Sequence, residues 1–99
     1  MDIGRIDNGI TADSADFYLA AGRYAVPADL NDATALALEL KVGIAYFALP
    51  SEQTTDGNTV PVSFAADGVL TAWLPGGTYR WNVTYTSGVG ASGVVSRIQ

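Results

Sequence analysis

The chain has 99 residues, ten acids against five bases for a formal charge of −5, and neither cysteine nor histidine. This length suits one domain with a single modest core, and the missing residues exclude disulfides, thiolate metal sites, the commonest general base and the usual pH switch. Arg5, Arg23, Lys41, Arg80 and Arg97 are scattered, and without grouped cations to displace counterions no nucleic acid partner is expected.

Residues 1–16 are rich in Asp, Gly, Asn, Ser and Ala, with Ile3, Ile6 and Ile10 as apolar anchors. That texture predicts an irregular arm that orders against a neighbour. Acids stand where a secretory leader would carry a basic segment and an apolar run, so no signal peptide is expected. The folded domain is placed at 17–99. Phe17-Tyr18-Leu19 and Gly22-Arg23-Tyr24-Ala25-Val26 read as short strands around an Ala20-Ala21-Gly22 turn, with Pro27 closing the second and a polar loop over 29–32.

Every even position from Leu36 to Val42 is apolar, while Glu39 and Lys41 fall on the other side. Period-two alternation predicts a strand here, although Ala and Leu favour helix by propensity. Gly43 permits a bulge or sharp bend before a second strand over 44–49, which Pro50 ends. These apolar stretches fall short of the roughly 20 residues a membrane-spanning helix needs, so no membrane partner is expected. Residues 51–58 read as a polar loop whose Asp56-Gly57-Asn58 tip tolerates positive φ. Thr59 to Phe64 is the next strand, placed at a sheet edge by Pro61.

After an Ala66-Asp67-Gly68 turn, Val69 to Leu74 is expected to pair with Thr78 to Thr86 across Pro75-Gly76-Gly77. Tyr79, Trp81, Val83 and Tyr85 alternate with Thr78, Arg80, Asn82 and Thr84, which sorts one buried from one wetter face. Residues 87–90 loosen the chain before a last strand near 92–98. Seven or eight short strands, no helix and no internal repeat predict an all-β fold, a single antiparallel β-sandwich of Ig-like or jelly-roll-like kind. Trp73, Trp81, Phe47 and Phe64 are its core candidates.

No catalytic, cofactor or metal site is expected. The serines have no histidine to activate them and none lies in Gly-x-Ser-x-Gly. Asp7, Asn8, Asp13 and Asp16 form no Asp-x-Asp-x-Asp-Gly loop, so turns and solvation explain them better than Ca²⁺. Glu39 and Lys41 share a strand face, as a surface pair or a contact to a partner. Trp73, Tyr79, Trp81 and Tyr85 read as core before they read as a platform for sugar rings. Trp73 is the exception, because Leu70, Ala72 and Leu74 look like the buried set of its strand. Charged residues make up 15% of the chain, against about 25% in an average soluble domain, a depletion expected where another subunit covers part of the surface. The candidate partner-contact residues are Ile3, Arg5, Ile6, Ile10, Glu39, Lys41 and Trp73.

Phe64-Ala65-Ala66-Asp67-Gly68-Val69, then Leu74-Pro75-Gly76-Gly77-Thr78-Tyr79-Arg80 and the closing Gly93-Val94-Val95-Ser96-Arg97-Ile98, resemble small virion proteins of tailed bacteriophages. Gly22-Arg23-Tyr24 fits the same style. The resemblance covers the last third to half of the chain and implies a non-enzymatic structural protein of the virion. Such a protein would be a decoration (cement) protein on the capsid, or a tail or head fibre subunit. It would contact capsid or other virion proteins and form a homo-oligomer, with a trimer favoured. A carbohydrate-binding module using Trp73, with a glycan as partner, is the alternative.

Overall fold

The structure, a computed structural model, describes residues 3–99. Eleven strands run through them: β1 (Gly4–Ile10), β2 (Phe17–Leu19), β3 (Gly22–Asp29), β4 (Ala35–Val42), β5 (Ala45–Ala48), β6 (Pro50–Thr55), β7 (Asn58–Pro61), β8 (Ser63–Phe64), β9 (Gly68–Leu74), β10 (Gly77–Thr84) and β11 (Ala91–Arg97). Sheet I has the order β1-β11-β3-β9 and sheet II the order β2-β10-β4-β5, with β8 also on β4 and β6-β7 as a separate ribbon. All the pairings are antiparallel. The chain is an all-β sandwich.

The core lies between sheets I and II and is built by alternation. Leu36 and Leu38 of β4, Tyr79 and Trp81 of β10, Tyr24 and Val26 of β3 and Val95 of β11 are all buried. The sheets touch most closely where the Trp81 ring covers Gly93; a Cβ on Gly93 would lie 2.7 Å from its Cη2. Any larger residue at 93 would push the sheets apart. Phe17 packs at a tilt against Trp81, with ring centroids 6.4 Å apart. The strand expected at 34–42 against helix propensity is therefore present, and Gly43 (φ 64°) makes the sharp bend into β5.

Two of the connections that cross from one sheet to the other share a pattern. Leu19-Ala20-Ala21-Gly22-Arg23-Tyr24 links β2 to β3, and Leu74-Pro75-Gly76-Gly77-Thr78-Tyr79 links β9 to β10. Both read Leu-x-x-Gly-x-Tyr. Each leucine is buried, and each tyrosine hydroxyl donates to the carbonyl four residues upstream: Tyr24 to Ala20, and Tyr79 to Pro75 at 2.6 Å. The arches interlock, because Gly22 pairs with Leu74 while Gly77 pairs with Leu19. Sheet II read backwards, β5-β4-β10-β2, matches β1-β11-β3-β9 strand for strand. The sandwich thus has an approximate two-fold in strand order, although β5 follows β4 in the chain and β1 does not follow β11.

Several expectations are corrected. Val69–Leu74 and Thr78–Thr84 do not form a hairpin: β9 pairs with β3, and β10 lies between β2 and β4. A Pro-Gly-Gly corner is compatible with either outcome, and the buried Leu74 and Tyr79 on its two sides favour the crossing. The expected irregular arm contains β1, which pairs with β11 with a bulge at Gly9 (φ 65°), while residues 11–16 are without regular structure. Met1 and Asp2 lie outside the described residues. Pro27 does not close its strand; β3 runs on to Asp29, and Pro27, which has no N–H, is not bridged to β11. The loop over 51–58 contains β6, although its tip turns as expected with positive φ at Asp56 and Gly57. Phe47 and Trp73 are exposed, whereas Trp81 and Phe64 are in the core.

Candidate functional site

The outer faces of the two sheets differ in kind. On sheet II the charged residues among those alternating with the core set, Glu39, Lys41 and Arg80, are all engaged in ion pairs. Arg80 bonds Glu39 at 3.1 Å, reaches Asp13 at 3.4 Å and lies 3.7 Å over the Tyr46 ring. Asn82 donates to Glu39, and Asp16 takes the Tyr46 hydroxyl at 2.9 Å and Lys41 at 3.2 Å. The Tyr46 hydroxyl and then Lys41 hold the Asp16 carboxyl below its ordinary range, and Asp16 in turn raises Lys41. Glu39 and Lys41 are not paired with each other. This face needs no partner to satisfy its charges.

Sheet I presents the opposite chemistry. Ile6 stands opposite Val94, and Pro27 opposite Val69. Val94 keeps register beside Pro27 between the Gly93–Ala28 and Ser96–Ala25 pairs. An apolar row therefore crosses all four strands, Ile6-Val94-Pro27-Val69, with Ile6 68% and Val69 59% exposed. The adjacent row, Gly4-Ser96-Ala25-Thr71, is small and uncharged. A shallow cleft of about 340 Å³ runs beside Pro27, Val69 and Val94. Charge enters only at the ends, as Asp29 on one side and Arg23, paired with Glu52 at 2.8 Å, on the other.

The edge of this sheet at β9 is capped at Thr71. Gln53 of β6 accepts from the Thr71 backbone N–H at 3.0 Å and donates to its hydroxyl at 3.1 Å. A side-chain amide thus occupies an edge donor that would otherwise invite another strand. Beside the same edge, at the arches, Trp73 is 60% exposed over a groove of about 420 Å³ formed with Ala21, Gly22, Leu74, Pro75, Arg97 and Gln99.

The sequence-derived contact residues are divided among these surfaces. Ile6 and Trp73 lie on the outer face of sheet I, and Ile3 is exposed just ahead of β1. Arg5 turns over the Phe17 ring at 4.0 Å and bonds Asp7, which also accepts from the Trp81 indole at 2.9 Å. Ile10 is buried in the core. Both lie within the sandwich rather than on a free arm. Glu39 and Lys41 belong to the opposite sheet's charged network. No protein-family model, curated protein or solved structure matches this chain. Among the described residues, no three carboxylates come together as a metal site.

Pro27, Val69 and Val94 were missed as surface residues. Pro27 and Val94 alternate with buried neighbours, and Val69 stands opposite Pro27 on the edge strand, a signal read as strand grammar alone. The residues that carry the phage resemblance have structural roles here. Asp67 accepts from the Leu30 N–H at 2.8 Å, Tyr79 latches its arch, and Arg80 anchors the sheet II network.

Proposed function

We propose that this chain is a non-enzymatic structural protein of a bacteriophage particle, a decoration protein seated on the capsid through the outer face of sheet I. The observation that carries this reading is the asymmetry of the two outer faces: one is charged and internally satisfied, and the other is apolar across four strands. In a chain of net charge −5, an uncharged face is the one that can meet another protein without leaving charges desolvated and unpaired. The phage assignment rests on the resemblance of the last third to half of the chain.

Four strands about 4.8 Å apart and seven residues long cover roughly 400 Å². A stable pairwise interface takes about 800 Å² from each partner. A second contact is therefore required, and the β4–β5 tip supplies one, with Ile44 98% exposed beside the exposed Val42 and Phe47. Seating through sheet I with neighbour contacts through this tip describes a subunit repeated on a lattice, where several weak contacts act together. Heads and tails separated from purified particles, followed by protein mass spectrometry, test the reading. Recovery with heads in many copies is expected; recovery with tails moves the chain to the fibre alternative, and absence from both rejects the proposal.

A further inference from the structure

The geometry points to a binding site for a neutral saccharide in the groove beside Trp73, separate from the row that carries the docking proposal. Trp73 lies four residues along β9 from Val69, about 13 Å in an extended strand, and the groove beneath it is made by the arches. One chemistry fits its walls. The indole is exposed while the chain's other tryptophan is fully buried. Leu74 and Pro75 extend the apolar wall from Trp73 into the arch.

Polar groups border the groove: Arg97 and Gln99 line it, and Arg23, the cross-strand partner of Trp73, joins them through Gln99. Arg23 Nε bonds Glu52 at 2.8 Å and its Nη1 bonds the Gln99 side chain at 3.0 Å. Arg97 Nε bonds the Gln99 main-chain oxygen at 3.1 Å, and among the described residues its terminal nitrogens have no partner. A pyranose matches both walls, with a C–H face to set on an indole and equatorial hydroxyls to bond amide and guanidinium groups in one plane. Charge favours a neutral ring. Arg23 is neutralised by Glu52 and Arg97 Nε is bonded to the Gln99 main-chain oxygen, and an anionic ligand would approach against the field of a chain of net charge −5.

The test is a titration of the isolated full chain with cello-, xylo-, malto- and chito-oligosaccharides, followed by the two indole N–H resonances in ¹H–¹⁵N spectra. Glucuronate oligomers and a proline-rich peptide serve as contrasts. The expected result is a saturable shift of the Trp73 resonance with at least one neutral sugar, at a dissociation constant of about 1 mM or tighter, with the Trp81 resonance unmoved. Trp73→Ala, which removes the reporter and is therefore titrated by calorimetry, should weaken binding about tenfold or more, and Arg97→Ala should weaken it without moving Trp81, which reports that the fold is intact. The inference is overturned if no neutral sugar shifts Trp73, if only glucuronate oligomers or the peptide do, or if Trp73→Ala binds as well as the parent. Trp73 shares the outer face of sheet I with the docking row, so attachment is read separately: loss with Val69→Asp and retention with Trp73→Ala distinguish the two readings.

Discussion

Replacing the two arch tyrosines by phenylalanine tests the feature that joins the sheets. Tyr79→Phe leaves the buried ring in place and removes only the bond from its hydroxyl to the Pro75 carbonyl. Pro75 is exposed, so water can replace the lost donor, and the cost should stay near the usual net value of about 1 kcal/mol. Tyr24→Phe frees the Ala20 carbonyl, which is half-buried, so its cost should be somewhat larger, about 1.5 kcal/mol. Since each arch's leucine pairs with the other's glycine, the double variant should depart from additivity by about 0.5 kcal/mol or more.

Urea unfolding followed by the fluorescence of buried Trp81 measures all three variants. A second readout is alkaline stability. Burial, with a smaller contribution from Tyr24, pushes the Tyr79 hydroxyl well above its ordinary value of 10.0. The folded state therefore keeps a proton that the unfolded state loses, and stability falls as pH rises past about 10. Tyr79→Phe should flatten that decline. Losses below about 0.3 kcal/mol in both single variants, with an unchanged alkaline limb, would refute the interlocked-arch account.

Gly93→Ala should destabilise by about 1 to 3 kcal/mol, because the added methyl meets Trp81, which cannot withdraw while its indole bonds Asp7 and its backbone N–H bonds Ser14; calorimetry checks this. The Asp7 carboxyl is held below 3.8 chiefly by Arg5 and secondarily by the Trp81 N–H, against burial. Its stabilisation is thus present above the unfolded value and is lost as pH falls through the folded one. Asp7→Asn should make the acid limb of the stability profile below about pH 4 shallower, as measured by unfolding across pH.

Alternation made most of the strands legible. It predicted β4 against its helical composition, because Leu36 and Leu38 must share a face while Glu39 and Lys41 reach the sheet II charges. It also singled out Trp73 as the exposed member of its strand. Partners were less legible. The sequence around Gly4–Ile10 lacks strand propensity and is held by its ladder to β11, a contact some 90 residues away in the chain. The Pro75-Gly76-Gly77 corner has the same local chemistry in a hairpin and in an arch, so the burial of Leu74 and Tyr79 on both sides decided between them. The Leu-x-x-Gly-x-Tyr repeat stood in the sequence, but only its interlocked pairing distinguishes it from chance. The apolar row required register, since Ile6, Val94, Pro27 and Val69 come from four separate strands.

The central claim is that sheet I, not sheet II, is the docking face, and paired charge substitutions read by co-sedimentation with phage heads lacking the chain test it most directly. Val69→Asp places a carboxylate at the β9 end of the apolar row and should abolish co-sedimentation. Thr78→Asp, on the outer face of β10 where charge is already accommodated, should leave it intact. Attachment that survives Val69→Asp and is lost with Thr78→Asp would contradict the account.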